Sequence, residues 1–456
     1  MSYLAIILAA GKSTRMGGKI NKSFCEIGKE KLIIHLIDSV LKSNPDEIVI
    51  IINNNYSEDE KNYIQNFIGK RCDVVFICQE EQLGTGHAVK VAIDNIDVNF
   101  QDVVVFYADT PLIQIESIEK LKKSLKNVKS GVVCGFDYSL DNQYGRIIFD
   151  SNNRVDRIAE YKDYKNDLEI QQIQQCNSGI VGLKFDFLKN NIDKIQNNNA
   201  AGEYYLFDLL GLSDEKFGYL GISSYEVFGI NSFFELSELE SNWQNEQRNY
   251  FLKNFVQLID RNSVHFGFNN RIGSGTKIGQ NVVCGKNIEI GENVIIESNV
   301  VLNDNVRIGN NSLIKSFSYI SDSEIGSDCE IGPFAHLNGK NIIGNKNIIG
   351  NFVEVRRSVI GNKNKAKHLT YIGDAEISDE NNFGAGSIIC NYDGKKKNKT
   401  KIGSKNMIGS NTSIIAPIEI KDNNLIAAGS VLNKNLEDES FAVERSELRI
   451  LKKRKS

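Results

Sequence analysis

The chain of 456 residues carries 54 lysines and arginines against 58 aspartates and glutamates, a formal charge of −4, with 41% hydrophobic and 25% charged residues. That balance excludes a disordered chain and leaves no bulk basic field for nucleic acid. At about 150 residues per domain, the length predicts two or three domains. No run of about 18 apolar residues occurs, and Met1 to Ala10 lacks the basic start and cleavage site of a secretory signal. No membrane insertion and a cytoplasmic location are therefore expected. Eight cysteines without a C-x-x-C pair or a His/Cys cluster read as reduced core thiols, not as disulfides or zinc ligands.

In chain order, strand-like and helix-like runs alternate first: Leu4 to Ala9, Ile33 to Leu41, Glu47 to Ile52, Asp102 to Tyr107 and Gly131 to Cys134. This βα pattern predicts a mostly parallel sheet covered by helices, with ligands at the carboxyl ends of its strands. After the first strand, Leu8-Ala9-Ala10-Gly11-Lys12-Ser13-Thr14-Arg15-Met16 forms a small-residue loop whose backbone amides could approach phosphates, although it is neither G-x-G-x-x-G nor a Walker A loop. Ser232 to Phe255, with no proline and apolar residues at Phe233, Leu236, Leu239, Trp243, Tyr250 and Leu252, predicts a linker helix.

From Arg271 the pattern changes. An aliphatic residue, often followed by glycine, returns every six positions from Ile272 to Ile320, resets by one residue at Ile325, Ile360 and Ile377, and holds again from Ile402 to Leu432. A six-residue period fits a short strand plus a turn forming one side of a triangular coil, with the aliphatic residue inward. The signature resembles the left-handed parallel β-helix. Asn391 to Thr400, with Lys395-Lys396-Lys397, breaks the period and is expected to loop out. The basic tail Leu451 to Ser456 reads as a solvated end.

Several words of the first half, in order and at family spacing, resemble a sugar-nucleotide pyrophosphorylase: L-A-A-G-x-x-T-R-M, Lys22, Gln79 before Gln82-Leu83-Gly84-Thr85-Gly86-His87, Tyr107-Ala108-Asp109, Tyr144-Gly145-Arg146, Glu160, Asn177, Gly202-Glu203-Tyr204-Tyr205 and Asn231. The second half adds Lys367-His368-Leu369-Thr370-Tyr371, Gly384-Ala385-Gly386 and Asn391-Tyr392-Asp393-Gly394. With the β-helix behind it, nearly the whole chain resembles the bifunctional N-acetylglucosamine-1-phosphate uridyltransferase and glucosamine-1-phosphate N-acetyltransferase family. The resemblance implies a Rossmann-like nucleotidyltransferase domain at 1–229, a linker helix at 230–250 and a left-handed β-helix acetyltransferase domain at 251–456.

It further implies transfer of uridylyl from UTP to N-acetylglucosamine-1-phosphate with Mg²⁺ held by Asp109 and Asn231, a hard-oxygen donor set that suits this ion. Arg15 and Lys22 match residues that neutralise phosphates, and Leu8, Ala9, Ala10, Gly11 and Tyr107 match the nucleotide loop and its neighbour. Gln79, Gly84 and Thr85 match uracil contacts, and Gly145, Glu160 and Asn177 match sugar contacts. In the β-helix, His368 matches the general base that acts on glucosamine-1-phosphate with acetyl-CoA, and Glu354 the carboxylate that orients it. His336, Arg356, Tyr371 and Asn382 match the acceptor sugar-phosphate site, with Lys397 nearby; Ala385, Asn391, Tyr392, Ser410, Ala428 and Arg445 match acetyl-CoA contacts. Side-by-side packing into a homotrimer is the family expectation.

Four positions depart from the family. Ala108 stands for glycine and Asn21 for proline, which narrows the site and leaves the Lys22 loop less pre-ordered. Arg356 stands for lysine and keeps the charge, whereas His336 replaces arginine, so a permanent phosphate fork becomes an imidazole and acceptor binding is expected to weaken from about pH 6 to 8. Two other readings compete: a uridyltransferase with a β-helix that only scaffolds, as in the similar layout of glucose-1-phosphate adenylyltransferases, and a non-catalytic nucleotide-sugar sensor.

Overall fold

The computed structural model describes residues 2–11, 21–138, 142–199, 201–444 and 450. Arg15, Arg445 and the basic tail 451–456 lie outside the described residues. The chain forms two compact units, Met1–Asn242 and Trp243–Ser456.

In the first unit the aliphatic runs become the central strands β1 (Tyr3–Leu8), β2 (Glu47–Ile52), β3 (Asp73–Cys78), β4 (Asp102–Tyr107) and β5 (Gly131–Asp137). They join β6 (Arg146–Phe149), β7 (Val155–Ala159), β8 (Gln175–Lys184) and β9 (Gly218–Gly221) in one sheet of order β9-β5-β8-β4-β1-β2-β3, with the β6–β7 hairpin attached to β8. Neighbours along this path are parallel except where β8 runs antiparallel to β4 and β5. Helices α1 (Leu32–Lys42), α2 (Glu58–Ile68), α3 (Thr85–Asp94) and α4 (Ile115–Leu125) provide the crossovers. α1 buries Ile33, Leu36, Ile37 and Val40, an i, i+3, i+4, i+7 stripe. α2 starts at a capping box, Ser57 with Glu60. The chain leaves β1 toward β2 and β3 and returns on the other side at β4, so the strand order reverses between β1 and β4. Their carboxyl ends, Leu8 and Tyr107, lie side by side in register, at the topological switch point where open α/β sheets bind ligands.

The linker helix α5 spans Phe233–Lys253 and contains the boundary between the units. Leu239 and Trp243 are buried, whereas Phe233, Tyr250 and Leu252 are exposed, so only part of the predicted apolar set packs. The Gln244 amide brackets the Phe266 backbone, donating to its oxygen at 2.7 Å and accepting from its nitrogen at 2.9 Å. Arg248 Nε donates to Val264 O at 3.0 Å. Among the described residues no helix is long and apolar enough to cross a membrane.

The second unit stacks two- to four-residue strands into three parallel sheets, the faces of a left-handed β-helix. Most rungs are eighteen residues, as in the Asn281–Asn299 pair, or seventeen where the sequence phase resets, as in Asn305–Asp322, and the last is sixteen, as in Asp422–Asp438. A reset is one side shortened by one residue. Ile278, Cys284, Ile290, Ile296 and Leu302 all point into one continuous apolar core that runs to Leu432. At about 1.5–3 kcal/mol for each buried aliphatic side chain, this stack is the main stabilising term of the unit. Three residues after each inward aliphatic the chain turns a corner with positive φ, at Asn281, Asn287, Asn293, Asn299, Asn305 and Asn311. Asparagine tolerates this region and also bonds its counterpart on the next rung, as Asn287 does with Asn305 at 3.1 Å. The rung holding residues 391–399 is lengthened to 25, and the loop expected there is present between strands Ile388–Cys390 and Thr400–Ile402. Of the eight cysteines, Cys25, Cys134, Cys176, Cys284 and Cys329 are buried as predicted and all eight are free thiols. Cys78 is exposed instead, at the end of β3, the edge strand of the sheet.

Candidate functional sites

A cavity of about 440 Å³ opens at the carboxyl ends of β1 and β4 and is lined by Leu8, Ala9, Ala10, Gly11, Lys22, Gln79, Gly84, Thr85, Tyr107, Ala108, Asp109 and Asn231, among others. The Leu8–Gly11 segment is tied to the sheet: Ala9 N donates to Ile51 O at 2.8 Å, and the Asn53 amide donates to Ala10 O at 3.1 Å. A Cβ built on Gly11 meets nothing within 4 Å among the described residues, so packing within them does not require glycine there. Gly84 is different. Its φ is +117° and a Cβ would lie 2.5 Å from Tyr204 O, so only glycine fits where the 202–205 segment crosses the start of α3. Tyr204 N donates to Leu83 O and Gly86 N to Tyr204 O, both at 2.8 Å, which holds the Gly84-Thr85 turn open.

Lys22 Nζ lies 2.8 Å from Asp109 Oδ2 and 3.0 Å from Asn231 Oδ1. Residues 87 and 209 positions away from Lys22 thus converge on one cation. A positive charge already sits against this carboxylate and amide, and one carboxylate plus one neutral oxygen suits a hard divalent ion that takes its other ligands from phosphates and water. The residues present fit such an ion. Asn21 does not leave the Lys22 turn loose, as its replacement of proline suggested. Its side chain accepts from Ser23 N at 3.2 Å and donates to Glu60 at 3.0 Å, anchoring the turn to α2. Ala108 is buried and its N–H donates to Leu8 O at 3.0 Å, so its methyl faces protein as well as cavity.

Gly145, Glu160 and Asn177 do not line this cavity. They form an adjoining group, with Asn177 N donating to Gly145 O at 2.8 Å and a Gly145 Cβ position 3.1 Å from Glu160 Oε1. A shift of register between Asn177 and Val181 turns this part of β8 out of the sheet pattern. Burial, then the charges of Asp163, Asp208 and Glu203, push the Glu160 carboxyl up to about 7. Its folded value lies above its ordinary 4.5, so the folded state holds the extra proton and the penalty for ionising it grows as pH rises from 4.5 to about 7. Glu160→Gln is expected to stabilise the fold at pH 8, by up to about 3 kcal/mol at ~1.4 kcal/mol per unit, and so to raise the melting temperature there, and to leave it unchanged at pH 4. A melt series across that range checks this. Burial also raises the Tyr107 phenol above its ordinary range, against a bond from Thr85 that lowers it.

On the β-helix, strands His336–Asn338, Glu354–Arg356 and Tyr371–Gly373 are successive rungs of one face, with His336, Glu354 and Tyr371 in register and Asn338 beside Arg356. His336 Nε2 is 2.9 Å from Asn338 Nδ2 and its ring packs edge-on to Tyr319. Asn382 stands on the adjoining face, in register with Lys365. His368 ends a strand of that same face, at the corner. Ala385, Ser410 and Ala428 occupy the same corner on later rungs, where Asn411 N donates to Ala385 O and Gly429 N to Ser410 O, each at 2.8 Å. Tyr392 is exposed on the 391–399 loop, paired across it with Lys397.

Two expected roles change. His368 Nδ1 is held by Asn351 Oδ1 at 2.8 Å, whereas Glu354 lies 3.9 Å from Arg356. The hydrogen-bond partner of the His368 ring is therefore Asn351, because residue 351 occupies the position in register with 368 on the preceding rung. Asn391 is only 6% exposed, and its amide donates to Asp374 and Tyr371. It anchors the base of the loop. Arg357 completes that anchor with a bidentate pair to Asp374 at 2.7 and 2.9 Å, which holds the Asp374 carboxyl below its usual range. Asn351 and Asn338 were legible only from the rung length: each lies one rung from a residue the motifs single out.

The fold and site define a class: a nucleoside-triphosphate transferase domain joined to a hexapeptide β-helix. Family models agree, with the MobA-like NTP transferase domain matching residues 5–171, the GMPPB C-terminal domain 261–365, and the bacterial transferase hexapeptide (six repeats) 399–434. The Bifunctional protein GlmU of Zymomonas mobilis is 38% identical over 452 residues, 98% of this chain and 95% of that protein. That of Clostridium novyi is 36% identical over 97% of this chain and 96% of its own, and that of Clostridium perfringens 38% over 98% and 97%. The chain belongs to the bifunctional GlmU family. Among solved structures, UDP-glucose pyrophosphorylase complexed with UDP-glucose matches at 16% identity and a TM-score of 0.42, covering 54% of this chain and 100% of that one.

Proposed function

We propose that the chain makes UDP-N-acetylglucosamine for cell-envelope synthesis in two steps, acetyl transfer to glucosamine-1-phosphate on the β-helix and uridylyl transfer in the N-terminal cavity. The observation that carries both steps, over a uridyltransferase with an inert scaffold, is the His368–Asn351 pair at the β-helix corner. With Asn351 Oδ1 as the acceptor, His368 carries its proton on Nδ1, the tautomer that leaves a lone pair on Nε2. Nε2 is then the atom that takes a proton from the glucosamine amine as that amine attacks the thioester carbon of acetyl-CoA and CoA leaves as thiolate. His336, Arg356 and Tyr371, stacked on one face, receive the acceptor sugar-phosphate, and the Ala385, Ser410 and Ala428 corner receives acetyl-CoA.

In the cavity, an oxygen of N-acetylglucosamine-1-phosphate attacks the α-phosphorus of UTP and pyrophosphate departs. The nucleophile is already an anion, so positioning and charge neutralisation suffice. Asp109 and Asn231 would hold Mg²⁺, which supplies charge neutralisation at the phosphates. Lys22, within reach of both, moves its ammonium onto the phosphates, and the Leu8–Gly11 backbone cradles them. Gly145, Glu160 and Asn177 take the sugar.

A homotrimer fits the exposed column of Phe317, Phe334, Phe352 and Leu369 beside His368, at 55%, 45%, 56% and 60% exposure, with consecutive rings stacked 5.1 and 5.2 Å apart. Free cysteines throughout suit the cytoplasm. The test is a pair of assays on the purified full chain: CoA release from acetyl-CoA and glucosamine-1-phosphate, and pyrophosphate release from UTP and N-acetylglucosamine-1-phosphate. Both are expected. Pyrophosphate release without CoA release reduces the function to uridylyl transfer. His336→Arg is expected to lower KM for glucosamine-1-phosphate about tenfold, because a bidentate guanidinium replaces a single ring nitrogen.

A further inference from the structure

The motifs single out Gln79 as a contact to the nucleotide base but leave His87, two residues into α3, without a role. Gln79 is only 3% exposed, yet it lines the cavity. Its Nε2 lies 3.3 Å from Gly84 O and 3.0 Å from His87 Nδ1. A backbone carbonyl has no hydrogen to give, so the amide atom facing Gly84 O must be the NH₂ group. The second hydrogen of that same nitrogen points at His87 Nδ1, which must then carry a lone pair, and the imidazole proton sits on Nε2. Both donors of Gln79 are thereby spent inside the protein, and Oε1 is the polar atom left to face the cavity.

We propose that His87 is a specificity-determining positioning residue, which through Nδ1 locks the Gln79 amide so that an acceptor and not a donor meets the base, selecting nucleotides whose ring carries an N–H at position 3. Uracil presents carbonyl, N–H, carbonyl along that edge; cytosine presents an amino group, a bare nitrogen and a carbonyl. Oε1 accepts from the first ring nitrogen and repels the lone pair of the second. Without His87 the amide loses its shorter bond, and only the 3.3 Å contact to Gly84 O opposes the half-turn that offers NH₂ to cytosine N3. The inference rests on the reading of the cavity as the UTP site.

The experiment compares kcat/KM for UTP and CTP, with N-acetylglucosamine-1-phosphate as acceptor, in wild type, His87→Leu and His87→Asn full-length protein. Sites built to bond a substrate N–H reject its absence by up to about 10⁴-fold, so His87→Leu is expected to lower the UTP:CTP ratio at least tenfold. The loss should appear in KM for UTP, with kcat changed by less than about threefold, as befits a residue that positions a binding group. His87→Asn, whose Oδ1 replaces the Nδ1 acceptor, is expected to keep the ratio within about threefold. Thermal melts accompany each variant; a ratio lost in His87→Leu with unchanged melting temperature supports the lock. An unchanged ratio in His87→Leu, or an equal loss in both variants, overturns it. A wild type that turns over no UTP overturns the UTP reading itself, and the inference with it.

Discussion

Replacing His368 by alanine is expected to lower CoA release from acetyl-CoA and glucosamine-1-phosphate by about 10²–10⁴-fold, the usual worth of a positioned general base, while uridylyl transfer stays within twofold. The imidazole ends a strand at an exposed corner, and among the described residues its ring hydrogen bond goes to Asn351. Removing an exposed side chain with one exposed partner costs the fold little, so the melting temperature should not move. Asn351→Ala, in contrast, leaves Nε2 in place but frees the ring and its tautomer. A smaller loss, about tenfold, is expected, with kcat falling more than KM rises. An Asn351→Ala enzyme as active as wild type would show that a different group fixes the proton on Nδ1. A fully active His368→Ala protein would remove the base from the mechanism altogether.

Asp109→Ala is expected to do the reverse: to lower pyrophosphate release by about 10³-fold or more, as befits loss of a hard anionic ligand at a phosphoryl-transfer centre, and leave CoA release unchanged. The structural cost is small by the same reasoning as above. Asp109 is 42% exposed and Lys22 keeps its 3.0 Å bond to Asn231 when the carboxylate is removed, so the pair contributes on the order of 1 kcal/mol. Loss of activity with an unchanged melt therefore reports chemistry. Binding of Mn²⁺ in the presence of UTP, followed by its paramagnetic relaxation, should weaken in parallel. Retained Mn²⁺ binding in Asp109→Ala would count against this carboxylate as a ligand. Together the two variants give opposite losses on one chain, a pattern that neither a scaffold reading nor a sensor reading produces.

The β-helix was legible to the residue because its constraint is local and repeated. Each side of the coil turns its side chains inward at fixed places, so Ile272 to Ile320 return every six positions, with a second buried residue two before, as at Val282 and Ile288, and each shortened side leaves a visible slip at Ile325, Ile360 and Ile377. The corner asparagines from Asn281 to Asn311 carry the same period and were an unread signal of the left-handed turns. In the first unit, the strand-like runs at Glu47 to Ile52 and Asp102 to Tyr107 became strands with those same bounds. These strands are buried on both faces, so their composition is nearly all aliphatic. The linker helix was legible as a helix, but not in which of its apolar residues pack, since Phe233 and Leu239 look alike until a neighbour covers one of them.

By itself the sequence determined the two architectures, their order and the identity of the chemical groups: a six-residue period fits the side of a triangular coil and neither an amphipathic helix nor a hairpin, and the motif words name lysine, carboxylate and imidazole. Only the tertiary structure decided which atom of each group faces outward. Lys22 meets Asn231 across 209 residues because the switch between β1 and β4 brings separate loops to one cavity. His368 meets Asn351 and not Glu354 because stacking places the residue one rung earlier directly beside it. Gln79 shows an oxygen to the cavity because Gly84 O and His87 Nδ1 claim its nitrogen. Hydrogen-bond direction depends on which donors and acceptors lie within about 3 Å, and that proximity exists only once the chain has folded.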